Sequence, residues 1–188
     1  MIKAEKELYL PTRHYFEKQG FSVDGEVKNC DLVAIKNDIV VVAELKKTFN
    51  ISLVYQLMER KNITPYVYAV IFRPKNFRDK KTKQMLKLAK LLGVGLLVVS
   101  DASGIIEEIV APNNDISNIK VNTKKRNIVS KEFNKREFRE NTGGVNRKKI
   151  LTAYRENSIA ALCVADTYSV VETRKVKDNI KKAVQSNY

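Results

Sequence analysis

Apolar residues in the N-terminal part of the chain recur with two different periods, which predict alternating strands and helices. Residues 21–27 alternate between apolar and polar side chains, as in a strand with one buried face. Residues 39–43 and 66–72 are continuously apolar, which favours central strands covered on both faces. The full set of predicted strands is 21–27, 31–36, 39–46, 66–72, 96–100 and 105–110.

Helical periodicity is found between these strands. A helix is predicted over 3–19, where Pro11 either begins a helix or kinks a longer one. A second helix is predicted over 51–61, capped by Asn50, and a third over 79–92. The resulting order of helix, three strands, helix, strand, helix and two strands predicts an α/β fold with a mixed sheet flanked by helices.

Beyond residue 115 the pattern changes to polar loops and short helices, predicted over 130–140, 150–165 and 170–185. Asn141–Gly144 separates the first of these helices from the second, and Asp166–Ser169 is predicted as the turn joining the last two. A helix-turn-helix and a plain helical hairpin both fit this pattern. We therefore predict a sheet domain over 1–112 and a basic helical extension over 113–188.

The hairpin of strands 31–36 and 39–46 carries the candidate chemistry. If Asn37–Asp38 is a two-residue turn, Asp31 lies opposite Glu44, with Cβ atoms about 5 Å apart. Two carboxylates at this separation repel each other unless a cation lies between them. Lys46 follows Glu44 by two residues and points to the same face of the sheet. This group predicts a site for a metal ion and water, although two ordinary strand-end acids neutralised by Lys46 remain an alternative.

The charge of the chain favours a polyanionic partner. Its 188 residues carry a net charge of +14. Residues 1–112 have 18 basic and 13 acidic side chains, whereas residues 113–188 have 17 and 8. Such an excess favours nucleic acid first and an anionic membrane second, and a well-solvated lysine-rich surface is the alternative.

Several features limit the cellular environments and the metal ions that we expect for this protein. No stretch of about eighteen apolar residues is present, so no membrane span is expected, and the N-terminus has no signal-peptide profile. Cys30 and Cys163 lie far apart in apolar segments, which predicts buried free thiols and a cytoplasmic location. Only one histidine, His14, is present, so a zinc site is not expected.

The hairpin resembles the active site of the PD-(D/E)XK nuclease superfamily. Asp31 corresponds to the first acidic motif position, and Glu44–Lys46 corresponds to the (D/E)XK tripeptide. The chain is also similar to a bacterial family of PD-(D/E)XK-type phosphodiesterases. The segments that carry this similarity are EVKNCDLVA at 26–34, VVAELK at 41–46, LGVGLLVV at 92–99 and LTAYRE at 151–156.

The resemblance implies a restriction-endonuclease-like fold and a metal-dependent hydrolase. It implies that Asp31, Glu44 and the backbone carbonyl of Leu45 hold Mg²⁺ or Mn²⁺, ions that prefer oxygen ligands. Lys46 would hold the attacking hydroxide or stabilise the phosphate oxygens. Further catalytic residues would be Glu7, through water on the metal, and Gln56, with Glu26 as an additional acid near the site.

Nucleic-acid contacts are expected from basic residues in two parts of the chain, with DNA expected before RNA. Arg60, four residues after Gln56 on one helical face, is predicted to bind phosphate, although a solvated surface role is the alternative. The other predicted contacts are Lys80, Lys83, Lys87, Arg174 and Lys175.

Besides a nuclease, two other kinds of protein are consistent with the sequence. One is an inactive or regulatory nucleic-acid-binding protein on a nuclease scaffold, and the other is a protein-interaction module. A homodimer is also open, because many nucleases that cut both strands act as dimers. The (D/E)XK acids and lysine are all of competent type, which favours an enzyme.

Overall fold

The computed structural model describes residues 4–100, 103–113, 121–145 and 149–168, together with Arg174, Val176 and Asp178. A 3₁₀ helix (Glu5–Leu8) opens the described part of the chain. The strands are β1 (Ser22–Val27), β2 (Cys30–Lys36), β3 (Ile39–Lys46), β4 (Tyr66–Phe72), β5 (Gly95–Val99) and β6 (Ile106–Val110). The helices are α1 (Tyr9–Glu17), α2 (Ile51–Lys61), α3 (Lys80–Leu91), α4 (Thr123–Lys135) and α5 (Ala153–Tyr168).

The six strands form one mixed sheet in sequence order, β1-β2-β3-β4-β5-β6. The first three strands are an antiparallel meander, β3, β4 and β5 run parallel, and β6 returns antiparallel to β5. Helices α2 and α3 make the two crossovers that parallel neighbours require. The predicted α/β fold with a helix-flanked mixed sheet is confirmed.

Helices cover both faces of this sheet and bury its continuous apolar strands. On one face, Leu8 and Phe16 from the N-terminal helices pack against Ala43 and Leu45 of β3. On the other face, α2 and α3 pack against β4 and β5. Beside them, Val129 and Phe133 of α4 pack on β2 and β3. The central strands are thus buried on both sides, as their uninterrupted apolar sequences predict.

Helix α4 differs from the prediction of 130–140, since it begins at Thr123 and ends at Lys135. Asn122 caps its first turn by accepting a hydrogen bond from the Lys125 N–H. The helix ends before Arg136, whose backbone is extended. The Arg136 side chain is buried and contacts β1. The tertiary bonds of one buried arginine therefore determine where α4 ends, which helical periodicity does not report.

Arg136 fastens this helical part of the chain to the edge of the sheet. Its Nη1 lies 3.0 Å from Asp24 Oδ2 and donates to the Gly25 carbonyl, and its Nη2 donates to the Glu26 carbonyl. Its Nε lies 3.0 Å from Glu132 Oε1 within α4. Asp24 is fully buried, and burial raises the pKa of its carboxyl while Arg136 opposes that change.

Of the predictions for the C-terminal part of the chain, one helix is observed and one turn is not. The predicted 150–165 helix is observed as α5, which continues through residues 166–168, so the predicted Asp166–Ser169 turn is wrong over its described positions. Most of the predicted 170–185 helix lies outside the described residues. Cys30 is buried as expected, but Cys163 is exposed, and both are free thiols. Among the described helices, none combines the length and apolarity needed to cross a membrane.

Replacing Arg136 with alanine should destabilise the protein by about 3–5 kcal/mol, because Asp24 would be left as a buried charge without its partner. Lys135→Ala is the matched control, because Lys135 is exposed on the last turn of the same helix. It should change the free energy of unfolding by less than about 0.5 kcal/mol. Urea unfolding of both variants measures the difference, and equal midpoints would contradict the role assigned to Arg136.

Candidate active site

The β2–β3 hairpin has the predicted register. Lys36 pairs with Ile39, and the ladder continues without a shift to Leu32 opposite Ala43. Asn37 adopts a left-handed backbone conformation, with φ at 53°, as tight two-residue turns require. The next position in this register places Asp31 beside Glu44, so the turn brings the two acids together.

Asp31 is tied to the backbone of the facing strand. Its Oδ2 accepts a hydrogen bond of 2.8 Å from the Leu45 N–H. Burial raises the pKa of the Asp31 carboxyl, while this hydrogen bond and the charge of Lys46 oppose the rise. In an extended strand the N–H and C=O of one residue point to the same neighbour. The Leu45 carbonyl therefore also lies on the Asp31 side of β3.

Glu44 is fully buried, and one of its oxygens has no hydrogen-bond partner. Its Oε1 accepts a bond of 2.6 Å from Arg60 Nε, whereas Oε2 is enclosed and unpaired among the described residues. Burial and the nearby charge of Asp31 together raise the pKa of this carboxyl to about 7, against the opposing charge of Arg60. An unpaired buried acceptor costs about 1–3 kcal/mol, so this arrangement does not serve stability.

Lys46 is half-buried, and its ammonium group contacts an acid that the sequence analysis did not single out. Its Nζ lies 3.4 Å from Glu5 Oε2 in the 3₁₀ helix. Glu7, the predicted catalytic acid, is exposed, and its Oε1 accepts a hydrogen bond of 3.1 Å from the Ala4 N–H. Glu7 thus caps its own helix, so the structure brings Glu5 rather than Glu7 to the site.

Arg60 faces the interior of the site and is ion-paired with Glu44, a contact that its prediction as a phosphate clamp did not include. Its Nη2 donates to the Asn29 carbonyl, in addition to the Nε bond to Glu44. Only 11% of its side chain is exposed. Leu53 and Leu57 anchor α2 against the sheet, and this orientation turns Arg60 inward. We therefore assign Arg60 as a residue that positions Glu44.

Gln56 lies one helical turn before Arg60, on the same side of α2. Its Oε1 is buried and has no hydrogen-bond partner among the described residues. Two elements that pack together, α2 and β3, thus each contribute one enclosed oxygen acceptor without a donor, on Gln56 and on Glu44. Unpaired oxygen acceptors on neighbouring elements are what a bound cation or ordered water would satisfy.

The donor set fits a hard divalent cation such as Mg²⁺. Asp31, Glu44 and the Leu45 carbonyl offer oxygen atoms only, and Glu44 Oε2 is available. The described residues contain no group of three or more His, Cys, Asp or Glu side chains arranged to hold a metal. Mg²⁺ commonly keeps several water ligands and needs only one or two carboxylates, so two acids and a carbonyl are sufficient.

Sequence reasoning missed a wall of the site that comes from the C-terminal half. The backbone N–H groups of Val145 and Gly144 lie close enough to the Glu26 carboxylate to favour its charged form. Burial and the charge of Asp31 raise the pKa of Glu26. Gly143 packs on the backbone of Asp31 so closely that a Cβ atom there would lie 2.1 Å from the Asp31 carbonyl oxygen. The glycine pair was the signal, because only a residue without a side chain allows this approach.

The other predicted nucleic-acid contacts that the structure describes are at exposed positions of helices. Lys80, Lys83 and Lys87 are exposed on α3, and Arg174 is exposed in a helical conformation. Lys175 lies outside the described residues. Within the described residues, none of the three α3 lysines hydrogen-bonds to Asp31 or Glu44.

The mixed six-stranded sheet flanked by helices is consistent with the restriction-endonuclease-like fold of PD-(D/E)XK proteins. Residues 96–187 match the sequence model of a family described as "Putative PD-(D/E)XK phosphodiesterase (DUF2161)". The predicted resemblance is thereby confirmed. The matched region includes β6, α4, α5 and the Gly143–Gly144 loop, whereas Asp31, Glu44 and Lys46 precede it. No match was found among curated proteins or among solved structures.

Adding Mg²⁺ should raise the melting temperature of the protein, and Asp31→Asn should abolish this rise. Metal must displace the proton from Glu44, whose pKa is raised to about 7, so affinity increases as the pH rises through that value. We expect binding to be about tenfold weaker at pH 6 than at pH 8. Asp38→Asn, in the exposed turn of the same hairpin, is the matched control and should keep the full effect. A pH-independent shift, or one retained in Asp31→Asn, would contradict the assignment.

Proposed function

We propose that this protein is a metal-dependent nuclease that hydrolyses phosphodiester bonds of nucleic acid, with DNA as the expected substrate before RNA. The observation that carries the proposal is the enclosed Asp31–Glu44 pair, with its unpaired oxygen, next to Lys46. A family described as phosphodiesterases supports the hydrolase class.

Asp31, Glu44 and the Leu45 carbonyl would hold Mg²⁺ or Mn²⁺. The bound ion would polarise a phosphoryl oxygen and lower the pKa of a coordinated water molecule. The hairpin supplies the rigidity this task needs, because the register and the Leu45 N–H bond fix Asp31 against β3. Arg60 fixes Glu44 from the other side by holding its Oε1. Both acids are therefore oriented before a substrate arrives.

Lys46 would act directly on the reacting phosphate. Its ammonium group is part-exposed, and the carboxylate of Glu5 keeps it next to the acids. It would donate hydrogen bonds to the phosphate oxygens as charge develops on them, or hold the attacking hydroxide in place. Gln56 would orient water or phosphate through its side-chain amide, whose oxygen lacks a partner within the described structure.

The basic surface would supply affinity that does not depend on sequence. Lys80, Lys83, Lys87 and Arg174 are exposed cations suited to backbone phosphates, and Lys175 is proposed for the same role from its sequence position alone. A homodimer would allow two sites to act on opposite strands. We further propose a cytoplasmic location, because both cysteines are free thiols.

A second candidate function is nucleic-acid binding without cleavage. It is favoured by one observation, the ion pair of Arg60 with Glu44, which occupies an oxygen that a metal ion would otherwise use. In that case the basic surface would still bind nucleic acid with a strong dependence on salt concentration.

Lys46→Ala should lower cleavage of plasmid and single-stranded DNA by about 10²–10³-fold, because the transition state loses a charged hydrogen-bond donor. The assay compares Mg²⁺, Mn²⁺ and EDTA on both substrates. Lys36→Ala, on an exposed position of the same hairpin, is the matched control and should cleave like the unmodified protein. Absence of metal-dependent cleavage by the unmodified protein would refute the nuclease proposal, and salt-sensitive binding in that case would support the second candidate.

A further inference from the structure

A cavity of about 660 Å³ opens beside the candidate active site, at the ends of β3 and β4. Its lining includes Ile71 of β4, which is the register partner of Lys46 on the neighbouring strand. Adjacent strands lie about 4.8 Å apart, so the cavity begins one strand away from the catalytic lysine. The carboxyl ends of parallel strands are the usual ligand-binding edge of an α/β sheet.

The lining of this cavity is mostly apolar in surface, and its exposed residues include several cations. Phe49, Met85 and Leu88 are among its lining residues, and none of the lining side chains is acidic. The exposed cations include Lys47, Lys75 and Lys81. A fourth lining cation, Arg73, is ion-paired with Glu107 and stacks over Phe77, so its charge is already partly neutralised.

We propose that this cavity binds one unpaired nucleotide of the substrate, with the base in the apolar interior and the adjacent phosphates on the three lysines. The inference rests on the proposed function and adds to it that single-stranded or unpaired nucleic acid is the preferred substrate. A duplex keeps its bases stacked inside, whereas a cavity of this size and composition accepts an exposed base.

The occupant follows from the combination of surfaces. An apolar ligand alone would not need three cations in the lining, and a phosphate alone would not need apolar and aromatic surfaces. A nucleotide has both a flat, weakly polar ring system and a phosphate, so it complements both surfaces. Because Lys46 lies beside Ile71, a nucleotide held here would bring its neighbouring phosphodiester towards the acid pair.

Fluorescence anisotropy tests this proposal without requiring cleavage. A labelled oligonucleotide is titrated in EDTA as a single strand and as a duplex of the same sequence. The unmodified protein should bind the single strand more tightly. Phe49→Leu keeps an apolar side chain but removes the aromatic face, and it should weaken single-strand binding by about fivefold to tenfold. Tyr55→Leu, an exposed aromatic outside the cavity, is the matched control and should not alter binding.

A second pair of variants tests the proposal independently, in case Phe49→Leu does not fold. Lys75→Glu changes an exposed lining residue and should weaken single-strand binding more than Lys18→Glu, which alters the net charge equally on the exposed end of α1. Equal affinity for single strand and duplex, or equal effects within each pair, would overturn the proposal even if the protein cleaves DNA. A single-strand preference that depends on Phe49 and Lys75 would support it even if metal-dependent cleavage were absent.

Discussion

The enclosure of two carboxylates at adjacent positions of one hairpin is the constraint on which the rest of this site depends. Asp31 and Glu44 repel each other, and burial makes the ionised form of each less favourable. Two hydrogen bonds partly offset the cost of burying these charges. The Leu45 N–H donates to Asp31, and the Arg60 guanidinium donates to Glu44. One oxygen of Glu44 is left uncompensated by the described residues, and a divalent cation is the group that would complete the set.

Long-range packing supports this hairpin from three directions. Helix α2 places Arg60 beside Glu44, and the 3₁₀ helix places Glu5 beside Lys46. The loop that contains Gly143 packs on the Asp31 backbone, and its next two residues lie near Glu26. Arg136 fastens the same helical part of the chain to β1. The half of the chain that matches the phosphodiesterase family therefore contributes to a site whose predicted metal ligands lie in the other half.

The hairpin was predictable from sequence because its information is local. A two-residue turn and a side-chain period of two determine which residues face each other, and Asp31 and Glu44 follow from them. The role of Arg60 was not predictable, since helical spacing does not say which side of α2 faces the sheet. The choice between Glu5 and Glu7 depended on a 3₁₀ turn, and the end of α4 depended on Arg136, whose bonds to Asp24 span more than a hundred residues.

Anomalous scattering from crystals grown with Mn²⁺ shows whether this hairpin binds a metal ion, because it locates the metal independently of any substrate or activity. We expect one strong peak between Asp31 and Glu44, with oxygen atoms of both residues and the Leu45 carbonyl about 2.1 Å away. A difference map without a peak there, in crystals that hold Mn²⁺ at another position, would contradict the assignment of this hairpin as a metal site.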